Sequence, residues 1–217
     1  MSMSRHLRAL KFMMRNYFMP KDVKPPFRHV CQIGDPVLRR PAELVKPELI
    51  PTKDIKNIIY ILIQTMKLYD AVGLSAPQIG VPLQIFVAEL TQKHWRAVGP
   101  TKRKAFNIEV FPLKVFINPV MKIVDHTKFT SSEGCVSTAH FEADVPRFKE
   151  VIVTGLNPLG ETETWHAKDW AAKIAQHEID HLKGHLFTDK MDPTTLALVN
   201  WDVINSKRGR VKLALHP

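Results

Sequence analysis

The stretch His177-Glu178-Ile179-Asp180-His181 decides how this chain is interpreted. On an α-helix, residues four positions apart lie on one face, so both imidazole rings can reach a single metal ion. Glu178 projects about 100° around the helix from His177, so its carboxylate can reach a water on that metal rather than the metal itself. The spacing therefore predicts a hydrolytic metal site, and the alternative is two surface histidines on an ordinary helix.

The residues around this motif predict a buried helix that begins near Asp169 and ends before Gly184. Asp169 can cap the N-terminus, and the run that follows it lacks glycine and proline. Trp170 and Ile174 share the stripe of the two histidines, and a mixed stripe of this kind faces the protein interior. Gly184 suits the position just past the end of a helix.

A tetrahedral catalytic site needs a third protein ligand and one open position, and the sequence offers few candidates. Phe187 stands where the long metzincin motif has its third histidine, and no glutamate follows Glu178. His185 lies beyond the predicted helix end. Cys135, preceded by the flexible Gly134, is the remaining candidate. A zincin-like peptidase with another third ligand stays open as the alternative.

Three segments of the chain together resemble the peptide deformylase family and fit its mitochondrial branch best. They are Gly73-Leu74-Ser75-Ala76-Pro77-Gln78-Ile79-Gly80, Glu133-Gly134-Cys135-Val136-Ser137 and Gln176-His177-Glu178-Ile179-Asp180-His181-Leu182. Their order and separations fit, and the similarity extends from about His29 to Met191. The residues alone support a mixed α+β class. The resemblance implies more, a metal-binding central helix wrapped by mostly antiparallel sheets.

The resemblance also implies the chemistry. A divalent metal would be held by Cys135, His177 and His181, with water in the fourth position. The reaction would be hydrolysis of the N-formyl group from formyl-methionine at the start of newly made mitochondrial polypeptides, with release of formate. The resemblance implies ferrous iron as the expected ion, with zinc as the common substitute. Both stay open at this point, because affinity and cellular supply together decide which metal is bound.

Further roles around the metal follow from the same resemblance. Glu178 would take the proton of the attacking water and pass it to the leaving amine. The Gln78 amide and the backbone N–H of Val136 would donate to the oxyanion, where loss of one donor typically costs about 3 kcal/mol. Gly73 would present its backbone to the substrate, and Ile174 would form a wall of the methionine pocket.

Four residues in or near the motifs also have structural interpretations. Glu133 and Arg147 are predicted to form a buried ion pair that holds the strand leading to Cys135. Asp180 either orients a ligand histidine or is simply solvated. Gln78, taken without the motif, would more simply hold a loop through hydrogen bonds.

The positive charge of the chain is concentrated at its two ends. The formal net charge of the 217 residues is +10. Residues 1–28 contain seven basic residues and one acidic residue, and residues 203–217 contain four basic residues and no acidic residue, so residues 29–202 are neutral overall. A neutral centre argues against a broad phosphate-binding face, and we expect no direct nucleic-acid binding. The basic tail, residues 203–217, is a candidate for transient ribosome contact, and a non-catalytic ribosome-binding protein is a further alternative.

Residues 1–28 are predicted to be a mitochondrial transit peptide and linker, ahead of a catalytic domain at residues 29–202. The first 21 residues contain no Asp or Glu, and an apolar helical stripe runs beside a basic one. A basic surface helix is the alternative. No apolar run is long enough to span a membrane.

Only two cysteines are present, Cys31 and Cys135, and use of Cys135 as a ligand indicates a reducing compartment. We therefore expect the mitochondrial matrix.

The remaining elements are predicted from hydrophobic periodicity and capping residues. Thr52 can cap a helix whose apolar stripe runs from Ile55 to Tyr69. Strands are predicted at 83–90, 113–118 and 150–156, and residues 91–112 are predicted to be a long loop. Cys31 is predicted to be an ordinary buried thiol.

Overall fold

The computed structural model describes residues 24–217. Most of the predicted transit peptide, residues 1–23, lies outside the described residues. Between residues 24 and 217 no helix combines the length and the apolar character needed to cross a bilayer.

The described chain contains an antiparallel sheet of six strands. The strands are β1 (Gly73–Ser75), β2 (Ile85–Leu90), β3 (Phe111–Gly134), β4 (Phe141–Leu156), β5 (Thr162–Lys168) and β6 (Ala197–Leu198). Their order is β1-β2-β3-β4-β5, and the short β6 pairs with β4. Sequence-adjacent strands therefore lie side by side, as expected for antiparallel hairpins.

The long hairpin of β3 and β4 carries the segment around Cys135 to the centre of the molecule. The two strands pair from Ile117 with Leu156 to Gly134 with Glu142. Their register shifts at three places, and such irregularities bend and twist a strand pair. The strands predicted at 113–118 and 150–156 are therefore real but much too short. Nearly all residues of β3 between positions 119 and 131 are exposed or only partly buried, and they lack the continuous apolar run on which the prediction relied.

Five α-helices accompany the sheet in the described part of the chain. They are α1 (Lys53–Leu68), α2 (Gln92–Ala97), α3 (Pro100–Ala105), α4 (Asp169–Leu182) and α5 (Trp201–Ser206). Thr52 caps α1 as predicted, since its side chain accepts a hydrogen bond from the backbone N–H of Ile55. The loop predicted at 91–112 is wrong, because it contains α2 and α3. Neither helix buries a residue, so neither has the apolar stripe that would have revealed it.

Helices α1 and α4 cover opposite faces of the sheet, and alternate residues of β2 show this directly. Ile85 and Val87 pack in the hydrophobic cluster of α1, whereas Phe86 and Ala88 pack in the cluster of α4. Ten of the fourteen residues of α4 are buried, as expected for a central helix surrounded by other elements. The predicted α+β arrangement, a central helix wrapped by mostly antiparallel strands, is confirmed.

The two ends of α4 were predicted with unequal success. The predicted cap by Asp169 is wrong, because this residue is the first of the helix and its carboxylate accepts a hydrogen bond from Asn107 instead. Gly184 follows the last turn in a left-handed conformation, with φ of +76°, as predicted for the position past a helix end.

Candidate metal centre

The three predicted ligands converge at one point. Cys135 Sγ and one ring nitrogen from each of His177 and His181 all lie within 4.8 Å of one another. Cys135 Sγ is 3.3 Å from His181 Nε2. Sulfur and nitrogen ligands at the corners of a tetrahedron with bonds of about 2.0–2.3 Å are themselves roughly 3.5 Å apart. The side chains present therefore fit a divalent metal with soft and borderline donors.

Cys135 reaches this point because β3 ends at Gly134 and the chain turns at once into a short 3₁₀ helix, Val136–Thr138. The backbone N–H of Ser137 points at Cys135 Sγ at 3.4 Å, and the Gln78 side-chain amide donates to the same sulfur at 3.6 Å. These two donors help to fix the position of the sulfur.

His177 is oriented by a carboxylate behind it. Its Nδ1 lies 3.0 Å from Glu133 Oε2 and donates to it, which leaves Nε2 free for a metal. Arg147 binds the same carboxylate with two hydrogen bonds of 2.8 Å, so the predicted Glu133–Arg147 pair is present and buried. Burial alone would raise the pKa of Glu133, but the hydrogen bonds from Arg147 and His177 hold it well below its ordinary value.

Asp180 acts one step further from the metal. It is buried and accepts hydrogen bonds of 2.6 Å from Arg147 and from Lys190. Asp180 is therefore not simply solvated, and it acts on a ligand histidine only through two intervening residues. Asp180 holds Arg147, Arg147 holds Glu133, and Glu133 holds His177. No local pattern in the chain indicates the contact between Glu133 and His177.

His181 is almost completely buried, and its Nδ1 has no hydrogen-bond partner among the described residues. Burial, followed by the charge of the neighbouring His177, lowers the pKa of His181 well below its usual value. For His177 burial also lowers the pKa, but the hydrogen bonds with Cys135 and Glu133 raise it overall. His181 is therefore a neutral imidazole with a lone pair available to a metal.

Glu178 lies on the adjacent face of α4 and is buried between that helix and β1. Burial raises the pKa of its carboxyl group to about 7. The hydroxyl of Ser75 donates to Glu178 Oε2 at 2.6 Å. A Cβ on Gly73 would lie 2.8 Å from the carboxyl carbon of Glu178. The glycine, predicted to face the substrate, is thus also needed to make room for this carboxylate.

Gln78 holds a loop through a hydrogen bond, and its amide also reaches the metal site. Its Oε1 accepts a hydrogen bond from the backbone N–H of Ser75 at 2.8 Å, which holds the loop. Its Nε2 donates to Ser137 Oγ at 3.1 Å and to Cys135 Sγ, which places the amide at the edge of the metal site. Val136 follows Cys135 directly and lines the same cavity.

A cavity of about 670 Å³ opens over these residues. Gly73, Gln78, Val136, Ile174 and Glu178 all line it. This volume lies within the range of about 300–1,000 Å³ that is typical of sites for small ligands. The predicted site residues therefore surround one space large enough for the start of a peptide.

Two features of the cavity were missed from the sequence. Lys173 lines the cavity although it is 94% buried as a residue, and burial lowers its pKa to about 8. Its Nζ donates to the Ser132 carbonyl at 2.6 Å and lies 3.8 Å from the centre of the Trp170 ring. Its position one turn before His177 was the only available signal. The second feature is the segment Ala214–Pro217, which also lines the cavity.

Metal-dependent hydrolases need two contributions from the protein, ligands that leave one coordination position open and a group that moves protons near neutral pH. The centre on α4 provides both, with three candidate ligands and a carboxyl group whose pKa is about 7. Its fold and site place the protein in this class of hydrolases.

Comparisons with known proteins define the family. The profile of the family described as polypeptide deformylase matches residues 27–197. The human mitochondrial peptide deformylase is 46% identical over 182 residues, which cover 84% of this chain and 75% of the human protein. Peptide deformylase 1A of Arabidopsis thaliana, chloroplastic/mitochondrial, is 41% identical over 180 residues, which cover 83% and 67% of the two chains. The crystal structure of the Thermotoga maritima peptide deformylase superposes with a TM-score of 0.63 at 30% identity, covering 77% of this chain and 99% of that one. The chain therefore belongs to the polypeptide deformylase family, and it is of the mitochondrial type.

Proposed function

We propose that this protein hydrolyses the N-formyl group of formyl-methionine at the start of newly made mitochondrial polypeptides and releases formate. One observation carries the proposal. In a chain of the deformylase family, Cys135 and His177 line a single cavity together with Glu178, and their ligand atoms converge with that of the buried His181. A linear amide in that cavity would lie next to both the metal ligands and a proton-transfer group.

Cys135, His177 and His181 would hold the metal, with His177 oriented by Glu133. When bound, a divalent ion polarises the formyl carbonyl and makes water more acidic. Glu178 would accept the proton of the attacking water and deliver it to the nitrogen of the leaving amine. A carboxyl group with a pKa of about 7 can do both near neutral pH, because neither protonation state is strongly favoured. The hydrogen bond from Ser75 keeps the carboxylate in place during this transfer.

Gln78 Nε2 and the backbone N–H of Val136 are proposed to stabilise the negative charge that develops on the formyl oxygen. The position of the Gln78 amide beside Cys135 Sγ supports this role, and so does the direct succession of Cys135 and Val136 in the chain. Donors held by a rigid site are effective because they need no reorganisation as the charge forms. Ile174 lines the cavity and is the proposed wall of the methionine pocket.

Ferrous iron is the proposed ion, with zinc as a substitute. A thiolate and two imidazoles suit both ions, and a thiolate ligand makes the site sensitive to oxidation. The relationship to mitochondrial deformylases supports a mitochondrial location, and the matrix is the proposed compartment.

Residues 203–217 are proposed to contact the ribosome transiently. Deletion of these residues should then weaken co-sedimentation with ribosomes at low salt, and unaltered binding would refute the contact.

The deformylase activity is tested by measuring formate released from formyl-methionyl peptides by protein that has been purified without oxygen and loaded with iron. Glu178→Gln should retain bound metal but lose roughly 10²–10⁴-fold in turnover, because the proton-transfer group is gone. Glu163→Gln is the matched control, since Glu163 pairs with Lys114 away from the cavity and should leave activity intact. Absence of formate, or equal activity of Glu178→Gln and the unaltered protein, would refute the assignment.

The zincin-like alternative is tested separately with Cys135→Ala. Loss of bound metal is expected if Cys135 is a ligand. Unchanged metal content would favour a peptidase that uses a different third ligand.

A further inference from the structure

The segment Ala214–Pro217 forms one side of the cavity that contains the candidate metal centre. All four of its residues line this cavity, together with His177 and Glu178. In the sequence this segment belongs to the basic tail and carries no motif. Its position in the structure puts it within reach of any molecule that occupies this cavity.

Two contacts hold the segment over the cavity. His140 Nε2 donates a hydrogen bond of 2.7 Å to the Ala214 carbonyl oxygen. The ring of His216 meets the ring of Tyr69 edge-on, with centroids 5.4 Å apart. His140 lies in the connection between β3 and β4, and Tyr69 follows α1, so the segment bridges two separate elements. Both anchoring residues line the cavity themselves.

The exposure of the segment shows that it forms a wall and does not fill the cavity. Residues 214–217 are all exposed, and Leu215 retains 56% of its accessible surface although it lines the cavity. A segment seated in the cavity as a plug would have buried its only large apolar side chain. Leu215 is instead left available for contact with an occupant of the cavity.

We propose that Leu215 is a specificity-determining residue that contacts the side chains following formyl-methionine and favours apolar ones. The proposal rests on the proposed deformylase function. Contact between Leu215 and an apolar peptide side chain removes apolar surface of both from water, which stabilises the complex. A charged peptide side chain at the same place would lose hydration without gaining a hydrogen bond or an opposite charge. The cavity as a whole has room for more than formyl-methionine, so these following residues fall within reach of its walls.

The test compares three substrates, which are formyl-methionine amide, a formylated Met-Leu-Leu peptide and a formylated Met-Lys-Lys peptide. Leu215→Glu should lower kcat/KM for the leucine peptide about fivefold, mainly through KM, and raise it several-fold for the lysine peptide. Formyl-methionine amide has no residue after methionine for Leu215 to contact, so its kcat/KM should be unchanged. Leu159→Glu is the matched control, because Leu159 is 81% exposed on the turn between β4 and β5 and does not line the cavity.

An unchanged preference between the leucine and lysine peptides in Leu215→Glu would overturn the proposal. An equal change in Leu159→Glu would also overturn it, because that result would reflect overall charge and not a contact in the cavity. Failure of the unaltered protein to release formate from all three substrates would instead overturn the proposed function itself. Normal activity with unaltered preference removes only the role of Leu215.

Discussion

A single carboxylate, that of Glu133, connects the metal site to the core of the protein. One of its oxygens accepts a hydrogen bond from Arg147, and the other accepts from both Arg147 and His177. Asp180 binds the far side of the same guanidinium group. The orientation of His177 therefore depends on a chain of buried charges that are stable only together, because each would be costly to bury alone.

Replacement of Arg147 should destabilise the protein strongly. Arg147→Met leaves Glu133 and Asp180 buried without their shared partner, and we expect the free energy of unfolding in urea to fall by about 3–5 kcal/mol. Arg39→Met is the control, since Arg39 forms an ion pair with Asp189 at the surface and should cost less than about 1 kcal/mol. Similar small losses in both variants would contradict the structural importance of the buried network.

Gly73→Ala should impair catalysis more than folding. The added methyl group would overlap the carboxyl group of Glu178, which is buried and held by Ser75, so the carboxylate must move from its position. We expect formate release to fall at least about tenfold, while the midpoint of thermal unfolding changes by only a few degrees. In Gly99→Ala, where no atom lies within 4 Å of the new methyl group, both quantities should stay close to those of the unaltered protein. Full activity of Gly73→Ala would mean that Glu178 tolerates displacement.

Among the elements, α4 shows most clearly how the end of a helix supports a site. The backbone N–H of His185 donates to the Asp180 carbonyl at 2.9 Å, and that of Gly184 donates to the His181 carbonyl at 3.1 Å. This pair of bonds is the Schellman arrangement, in which the residue after the helix adopts a left-handed conformation. The turn ends the helix within three residues of His181 and so restricts the movement of that residue.

Gly184→Ala should be more harmful than the same change at another left-handed glycine. At Gly184 the new Cβ would lie 2.9 Å from the backbone carbonyl of Arg39, in addition to the cost of a positive φ. Gly160 has a similar φ of +81° but no atom within 4 Å of a new Cβ, so Gly160→Ala reports the conformational cost alone, about 1–2 kcal/mol. Chemical denaturation should show a clearly larger loss for Gly184→Ala. Equal losses would show that the Arg39 backbone moves aside.

Elements were predictable where they carry a strong local signal. Helices α1 and α4 have apolar stripes with a 3.6-residue period, and Thr52 and Gly184 mark one end of each. Strand β3 was predicted over only six of its residues, because much of its length twists away from the core and exposes alternate side chains. Helices α2 and α3 are too short and too exposed to show any period.

At the scale of the whole molecule, the two cysteines have opposite roles. The sheet brings Cys135 to His181 across 46 residues of sequence, whereas Cys31 lies buried in a small cluster with Leu38 and Leu186. Burial raises the pKa of the Cys31 thiol to about 12. The metal site and the core thus contain one thiol each, and the thiol of the metal site lines the cavity of the candidate metal centre.

Removal of the metal should expose one thiol to alkylation. We expect iodoacetamide at pH 8 to add one group, at Cys135, to the folded metal-free protein, because Cys31 is buried and remains protonated. Metal-loaded protein should resist labelling, and denatured protein should take up two groups, as counted by mass spectrometry. Equal labelling of Cys135 with and without metal would argue that its sulfur is not a ligand.

The local features of this protein can be predicted from residues that are near one another in the chain. The spacing of His177 and His181 places two rings on one face of a helix, and three motifs in order indicate the family. The folded structure is needed to show that Glu133 orients His177, that Asp180 acts through Arg147, and that residues 214–217 line the cavity. These contacts join residues far apart in sequence, and their partners are chosen by the packing of the sheet around α4, which no local pattern records.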